Sequence, residues 1–330
     1  MLLLHGNPLT HVSWHAIAPR LTERFHVVAA DLRGYGDSSA PPEEPDSSNY
    51  SFRAMAQDQV EVMKALGHDR FYVAGHDRGG RTTHRMCLDH PDKIIRAAII
   101  DIVPTLDMWA AMNKEAALSG WHWPLMAQPA DFPERLLGGV DPDWFMRKKL
   151  LKLTANLNHI PPEIWREYVR CFNEKTIRGS CGDYRAAAGI DCELDTADLG
   201  RRLDMPILVL WGATSSVGKR FADPLSLWRL RANNVRGEAL PTGHYVNEEA
   251  PDQVLEWFLR FFVDQMVDRR SVLFAGSFFC LALQELVGVG GRLVSCRYSR
   301  TCRAQAPRSP RCKARSSPRD RAKSLGQRRP

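Results

Sequence analysis

The feature that most constrains the fold is an apolar run that leads directly into a glycine-flanked acidic turn. Residues 71–74 (FYVA) are typical of a buried strand, Gly-His-Asp-Arg-Gly follows at 75–79, and a helical pattern covers 78–90. Flanking glycines are expected where the central residue occupies a strained turn, because a nearby Cβ would collide with the backbone. The N-terminus of the following helix favours an anion. We therefore predict that Asp77 projects from the turn as a nucleophile, the alternative being an ordinary turn that contains an aspartate.

Short apolar runs alternate with helical patterns along much of the chain. The predicted strands are residues 2–4, 25–30, 71–74, 94–102, 206–211 and 238–240. The predicted helices are residues 12–24, 52–66, 78–90 and 252–262. Near-continuous apolar strands separated by helices are typical of a parallel sheet that is covered on both faces. We therefore predict an α/β fold with a mostly parallel sheet.

The pattern changes in two segments, which divides the chain into four parts. Residues 105–200 are rich in Trp and Met and have no clear strand, so we predict a helical cap inserted between two parts of the core, residues 1–104 and 201–264. The remaining part, residues 265–330, is a basic tail in which Arg, Ser and Pro dominate after residue 300. A segment with so few large apolar side chains cannot form a core of its own, so we predict a disordered tail.

The composition excludes several classes of protein. Residues 266–330 carry 15 Lys and Arg against 3 Asp and Glu, whereas the rest carries 30 against 35, so nothing in the core predicts nucleic-acid binding. The longest apolar run, residues 272–283, is shorter than the ~20 residues that span a membrane, and the first residues lack the basic start of a secretory signal. The eight cysteines include no CxxC pair, which favours the reducing cytoplasm over a zinc or disulfide protein.

A histidine and a second aspartate complete a predicted catalytic triad. His244 follows the last predicted strand of the core and is the candidate general base, the alternative being an exposed loop histidine. The strand at 206–211 is followed by no carboxylate, whereas the strand at 94–102 contains Asp101, which we predict to orient the base. The chain order is then nucleophile, acid, base, as in the strand–turn–helix hydrolases.

Backbone and guanidinium groups beside the nucleophile provide the predicted binding functions. The backbone N–H groups of Asn7, within the His-Gly-Asn-Pro of residues 5–8, and of Arg78 are expected to face a developing oxyanion. Arg78 and Arg81 lie three residues apart at the start of one helix, so both side chains can face the same pocket. Two guanidiniums form a fork that fits a small carboxylate, the alternative being a surface pair that forms salt bridges.

An aspartate nucleophile indicates a particular class of reaction. A carboxylate that attacks carbon forms an ester with the enzyme, which suits loss of halide from a saturated carbon or opening of an epoxide. Water activated by His244 would then hydrolyse the ester. The arginine pair would hold the α-carbon of a haloacetate in line with Asp77. Candidate donors to a departing halide occur in the cap at residues 121–123 and 181–185.

Eight segments together resemble one known enzyme family. Over roughly residues 1–262 the chain resembles the fluoroacetate (haloacetate) dehalogenases of the α/β-hydrolase superfamily, in LLLHGNPLTHVSWH, AADLRGYGDSS, AGHDRGGR, DIVPT, WHWPLMAQP, CGDYRA, LWGA and GHYVNEEAPD. The resemblance implies that Asp77, Asp101 and His244 form a catalytic triad. It implies that Arg78 and Arg81 bind the substrate carboxylate and that a halide pocket is formed by His122, Trp123 and Tyr184. It also implies a small 2-haloacid substrate, no cofactor or metal, and a homodimer.

The chain departs from this family in three places. Asn7 occupies a position that is usually Phe, and Leu153 lies near a position that is often Trp. The first two strands of the α/β-hydrolase fold are missing, so the strand at 25–30 is expected to be an exposed edge of the sheet. The tail at 265–330 matches nothing in the family.

The expected reaction is hydrolytic dehalogenation of a short 2-haloacid to the 2-hydroxyacid and halide. An epoxide hydrolase is the enzymatic alternative, because it shares the triad and uses two cap tyrosines, for which Tyr168 and Tyr184 are available. A haloalkane dehalogenase usually has Trp after the nucleophile, where this chain has Arg78. The alternative outside catalysis is an inactive hydrolase-like protein that only binds a ligand.

Overall fold

A parallel sheet forms the centre of the molecule. The computed structural model describes residues 1–263 and 293–296. The strands are β1 (Leu2–Leu4), β2 (Val27–Ala30), β3 (Phe71–His76), β4 (Ile94–Ile100), β5 (Ile207–Gly212), β6 (Val235–Leu240) and β7 (Leu293–Cys296). Their order is β6-β5-β4-β3-β1-β2-β7, and every neighbouring pair is parallel. The predicted α/β fold with a mostly parallel sheet is confirmed.

Helices outside the cap cover both faces of this sheet. They are α1 (Ala18–Leu21), α2 (Phe52–Ala65), α3 (Arg78–Asp89), α12 (Ser216–Arg220), α13 (Pro224–Arg229), α14 (Val246–Glu249) and α15 (Pro251–Phe262). The alternation of side chains along β1 places Leu2 and Leu4 in one apolar cluster with Met63 of α2, and Leu3 in the opposite cluster with Phe258 of α15. Both faces of the strand are therefore buried, as its uninterrupted apolar sequence requires.

The segment predicted as one helix at 12–24 is instead divided. It contains a short 3-10 helix, His11–Trp14, and then α1, a helix of four residues with Pro19 near its start. Proline has no N–H group and fits the first turn of a helix but not its interior. The predicted continuous helix is therefore wrong, because Pro19 allows a helix to begin here but not to pass through.

Eight helices fill the chain between β4 and β5. They are α4 (Thr105–Ala110), α5 (Lys114–Ser119), α6 (His122–Met126), α7 (Phe132–Gly138), α8 (Pro142–Leu151), α9 (Pro162–Cys171), α10 (Glu174–Ala188) and α11 (Ile190–Ala197). A third apolar cluster contains Trp123, Phe145 and Tyr184 from these helices together with Tyr245, which follows β6. This cluster packs the cap against the carboxyl ends of the strands, where ligands bind in parallel sheets.

The strand at the predicted exposed edge has a neighbour. β7 pairs with β2 from Val27 opposite Leu293 to Ala30 opposite Cys296. The expectation that the 25–30 strand forms a bare edge is therefore wrong. Apart from these four residues, the predicted disordered tail at 265–330 lies outside the described residues. No helix in the described part of the chain is long and apolar enough to cross a membrane.

Candidate active site

The turn between β3 and α3 holds Asp77 in a strained conformation. The backbone of Asp77 has φ +48° and ψ −114°, which non-glycine residues rarely adopt. A Cβ on Gly75 would lie 2.1 Å from the carbonyl oxygen of Gly79, and one on Gly79 would lie 2.5 Å from that of Leu4. The two glycines are thus needed for the close approach of strand, turn and helix. The strained turn places Asp77 in the wall of a small cavity.

A second strand end brings the acid and the base together. Asp101 follows β4, and its Oδ2 lies 2.5 Å from Nδ1 of His244. The other ring nitrogen of His244, Nε2, is 4.0 Å from Oδ2 of Asp77. A hydrogen bond from Nδ1–H to Asp101 leaves Nε2 as the basic nitrogen, on the side of Asp77. The structure therefore brings the three predicted triad residues together.

Two groups that the sequence did not single out hold this triad in place. Oδ1 of Asp101 accepts hydrogen bonds from the hydroxyl of Ser215, at 2.6 Å, and from the backbone N–H of Gly212. The Glu249 carboxylate accepts from the N–H groups of Gly243 and Tyr245, one on each side of His244. The residues after β5 offer no carboxylate. They instead supply the Ser215 hydroxyl, which donates to Asp101.

The environment shifts the pKa values of Asp77 and His244 in opposite directions. Burial by itself raises the pKa of Asp77, but the charges of His244, Arg78 and Arg81 outweigh burial and bring that pKa below its ordinary value. Burial lowers the pKa of His244, whereas the hydrogen bond and charge of Asp101 raise it, with a net pKa above the ordinary value. Asp77 is therefore ionised over a wide pH range, and His244 becomes neutral only above its ordinary pKa.

The loop after β1 contacts Asp77 directly. The backbone N–H of Asn7 donates to Oδ2 of Asp77 at 3.0 Å. Arg78 is the first residue of α3, so its N–H is among those that helical hydrogen bonding leaves free. The side chain of Asn7 is also engaged, since it donates to Tyr35 and Ser180 and accepts from Lys149 of α8. The position that is usually Phe in the resembled family thus holds a polar residue that links the core to the cap.

Arg78 is buried and forms an ion pair that the sequence did not predict. Its Nε donates to Asp183 of α10 at 2.7 Å, its Nη2 donates to the same carboxylate, and its Nη1 is buried without a partner. The guanidinium lies 4.2 Å from the ring centroid of Tyr184. Burial lowers the pKa of Arg78, but Asp183 raises it above its usual range, so the side chain is a fixed cation. Its Nη1 is therefore a buried donor that no described residue satisfies.

Arg81 is the second cation at the site. It is 3% exposed, and its Nη1 donates to the carbonyl of Val103 and to the hydroxyl of Thr105, both at 3.1 Å. Its Nε is buried without a partner, and the guanidinium lies 4.7 Å from the ring of Trp123. Burial, with the charge of Arg78, lowers the pKa of Arg81 to about 10, so it remains protonated at neutral pH. The alternative of two surface arginines is thereby excluded.

A small cavity lies beside Asp77 and Arg81, and Arg78 is not among its lining residues. It measures about 50 Å³, and its lining includes Asn7, Asp77, Arg81, His122, Trp123 and His244. A cavity of this size holds only a few water-sized groups. A larger, open depression of about 670 Å³ elsewhere on the molecule is lined by none of these residues. The cavity thus fits a ligand with very few non-hydrogen atoms.

The predicted halide-binding residues come together beside this cavity. The ring centroid of Tyr184 is 5.7 Å from that of His122 and 5.5 Å from that of Trp123, with edge-to-face geometry in both pairs. His122 and Trp123 line the cavity, whereas Tyr184 is 1% exposed and lies behind it. Tyr168, the other candidate tyrosine, is instead buried and donates to Glu248 at 2.8 Å. Only one of the two cap tyrosines therefore packs against the site.

Cationic side chains of the cap are the largest group of residues that the sequence reasoning missed. Lys149 is 1% exposed, and burial lowers its pKa to about 7. Lys152, just after α8, lies beside His122. Their spacing from the buried Phe145 continues the inner face of α8, where apolar residues are expected. A lysine that recurs at the spacing of the buried residues is the sequence signal that could have identified Lys149 and Lys152. Among the described residues, no cluster of His, Cys, Asp and Glu could hold a metal ion.

Comparisons with known proteins give a consistent result. The chain matches the family model of the alpha/beta hydrolase fold over residues 1–251. A fluoroacetate dehalogenase from Burkholderia sp is 44% identical over 266 residues, which cover 80% of this chain and 87% of that protein. A soluble epoxide hydrolase from Corynebacterium sp. (strain C12) is 32% identical over 267 residues, or 79% and 89% of the two chains. A crystal structure of an α/β hydrolase from Nostoc sp PCC 7120 has a TM-score of 0.77 and 47% identity, and the match covers 80% of this chain and 90% of that one.

Proposed function

Since the chain belongs to the fluoroacetate (haloacetate) dehalogenase family of the α/β-hydrolase superfamily, we propose that it hydrolyses a short 2-haloacid to the 2-hydroxyacid and halide. The observation that carries the proposal is the placement of an ionised Asp77 against the His244–Asp101 pair, next to two buried arginines that each retain a free donor nitrogen. The proposed substrate is a haloacetate such as fluoroacetate. No metal or cofactor is needed for this reaction.

Substrate binding is assigned to the arginine pair. Nη1 of Arg78 and Nε of Arg81 are buried donors without partners, and the carboxylate of a 2-haloacid would satisfy both. Fixing the carboxylate leaves the adjacent carbon and its halogen as the atoms that point toward Asp77. Binding of this kind converts the attack into an effectively intramolecular step. The cavity of about 50 Å³ limits the acid to a short chain.

The first chemical step is displacement at saturated carbon. A carboxylate oxygen of Asp77 attacks C2 of the haloacid, a C–O bond forms, and the carbon–halogen bond breaks with its electron pair leaving on the halide. The product is an ester between Asp77 and the 2-hydroxyacid skeleton. His122, Trp123 and Tyr184 are the proposed donors to the departing halide.

The second step is hydrolysis of that ester. Nε2 of His244 takes a proton from water, and the hydroxide attacks the carboxyl carbon of Asp77. The N–H groups of Asn7 and Arg78 stabilise the resulting oxyanion, while Asp101 stabilises the imidazolium. Collapse of the intermediate expels the 2-hydroxyacid as an alkoxide, which receives the proton from His244. The Asp77 carboxylate is regenerated with one oxygen derived from water.

Two variants test this scheme. Asp77→Asn is expected to lower halide release from chloroacetate and fluoroacetate by roughly 10³-fold or more, because the nucleophile is removed. His244→Asn is expected to release about one halide per active site and to accumulate an ester, which adds about 58 Da to the peptide that contains Asp77. Halide release is measured by ion chromatography and the ester by mass spectrometry. Asp69→Asn, at an exposed position, is the matched control.

The same assay distinguishes the alternatives. Turnover of styrene oxide without halide release from either haloacetate would favour the epoxide hydrolase, and no turnover of any of the three would contradict both enzymatic candidates and leave the non-catalytic alternative. Tyr168 is engaged with Glu248 and so leaves a single cap tyrosine for an epoxide oxygen, which argues for the haloacid. Full halide release by Asp77→Asn would contradict the proposed nucleophile.

A further inference from the structure

The Lys152 side chain is held by three neighbours in the cap. Lys152 follows α8, and its Nζ lies 3.0 Å from the carbonyl oxygen of Ser119 and 2.9 Å from Nδ1 of His122. The same nitrogen lies 4.5 Å from the ring centroid of Trp121. A carbonyl oxygen and an aromatic face both favour an ammonium group, which has three donors and no acceptor. Lys152 is thus placed as a donor toward His122.

This contact determines the state of the His122 ring. In a neutral imidazole one nitrogen carries hydrogen and the other accepts. When Nδ1 accepts from the Lys152 ammonium, the hydrogen must be on Nε2. Among the hydrogen bonds of the described residues the His122 ring takes part in this one alone, and the residue lines the cavity. Nε2–H is therefore the group that the ring can offer to a ligand.

The charges around the pair keep the ring neutral. Burial lowers the pKa of His122 well below its ordinary value, and the charges of Lys149, Lys152 and Arg78 act in the same direction. Burial, with the charge of Arg220, lowers the pKa of Lys152 to about 7. Near and below neutral pH the proton therefore resides on the lysine rather than on the imidazole.

We propose that Lys152 is a positioning residue which holds His122 as the Nε2–H tautomer, so that the ring donates a hydrogen bond to the departing halide. The inference rests on the proposed function for the identity of the ligand. Lys152 itself does not touch the halide. Fluoride is small and strongly hydrated and depends on donors to leave carbon, whereas chloride depends on them less. The wrong tautomer would present a lone pair to the anion, so the contact is expected to matter most for the carbon–fluorine bond.

The first measurement reads the tautomer directly and needs no substrate. Long-range ¹H–¹⁵N spectra of the wild-type protein at pH 6.5, with His122 assigned by its loss in His122→Gln, are expected to show a protonated Nε2 and an unprotonated Nδ1. Lys152→Met keeps an unbranched side chain that is one atom shorter and removes its donor, so a mixture of tautomers is expected. A wild-type ring that is protonated on Nδ1 overturns the proposal, whether or not Lys152→Met folds.

The second measurement compares two halogens. In Lys152→Met the ratio of kcat for fluoroacetate to kcat for chloroacetate is expected to fall roughly tenfold or more, as for loss of one donor to a developing charge. Lys152→Arg, which keeps a cationic donor, is expected to restore most of the ratio. Lys148→Met is the matched control, because Lys148 is exposed on α8, the helix that Lys152 follows.

The outcomes separate this inference from the proposed function. An equal loss of kcat for both halogens in Lys152→Met, with an unchanged tautomer, means that Lys152 serves only packing and overturns the proposal. If the wild-type protein releases no halide at all, the proposed function fails and the halide role of His122 fails with it. The NMR result still decides in that case whether Lys152 sets the tautomer of His122.

Discussion

The same environment lowers the pKa of Asp77 and raises the pKa of His244. These opposite shifts affect the two proposed steps, attack on carbon and hydrolysis of the ester, in different ways. In the proposed reaction the Asp77 carboxylate must be charged to attack, and its pKa is lowered. In the same proposal His244 must be neutral to activate water, and its pKa is raised by Asp101 after the opposing effect of burial. A raised pKa means that the imidazole stays protonated, and inactive as a base, up to a higher pH. The two steps therefore differ in their sensitivity to acid.

This difference predicts a change of behaviour with pH. As the pH falls through the raised pKa of His244, steady-state turnover of chloroacetate is expected to disappear, while a single burst of about one halide per site persists because Asp77 is still ionised. Rapid-quench halide measurements and intact mass between pH 5 and 9 test the prediction, with His244→Asn as the control that shows the burst alone at every pH. Loss of burst and turnover at the same pH would contradict the assignment of the two roles.

Single residues also show which contacts could be predicted from the sequence. The proximity of Asp77, Asp101 and His244 was predictable because each lies next to a strand or turn with a local pattern. Asp183 was not predictable as the partner of Arg78, nor Ser215 as the partner of Asp101, because the members of these pairs are 105 and 114 residues apart. A contact of this kind depends on how the cap and the strands meet, which no local pattern contains.

At the scale of elements, the strand–turn–helix unit depends on backbone contact rather than on side-chain packing. Gly75→Ala would place a Cβ 2.1 Å from the carbonyl oxygen of Gly79, and neither backbone segment can move without displacing the nucleophile. We expect this change to lower the free energy of unfolding by about 3 kcal/mol or more. Thermal and urea denaturation measure the effect.

Gly200→Ala is the matched control for this substitution. A Cβ on Gly200 would meet no atom within 4 Å, so the same chemical change is expected to alter stability very little. If the two variants unfold at the same denaturant concentration, the close packing of the turn does not limit the residue at position 75.

Helix boundaries elsewhere followed from equally local chemistry. Pro19 divides the segment that the apolar pattern alone joined into one helix.

At the scale of the whole molecule, the cap and the core each contribute part of the cavity. The core provides Asp77, Asp101 and His244, whereas the cap provides His122, Trp123 and the side chain of Leu153. The sequence predicted both parts but not their separation, because that distance depends on many packed side chains between cap and sheet. The neighbour of β2 was missed for a similar reason, since β7 follows β2 by more than 260 residues. The size of the cavity is thus a property of the assembled molecule.

Leu153 gives a direct test of that size limit. Leu153→Ala is expected to enlarge the cavity and raise kcat/KM for 2-chlorobutyrate roughly tenfold, because each methylene in an apolar pocket changes discrimination by about 1–3 kcal/mol. Activity on chloroacetate is expected to change much less, since the backbone carbonyl of Leu153, which accepts from the N–H of His244 at 2.8 Å, is retained. Leu151→Ala, at a position 44% exposed on α8, is the matched control. If Leu153→Ala slows both acids equally, the side chain supports the catalytic loop rather than limiting the substrate, and the cavity wall must be sought among other residues of the cap.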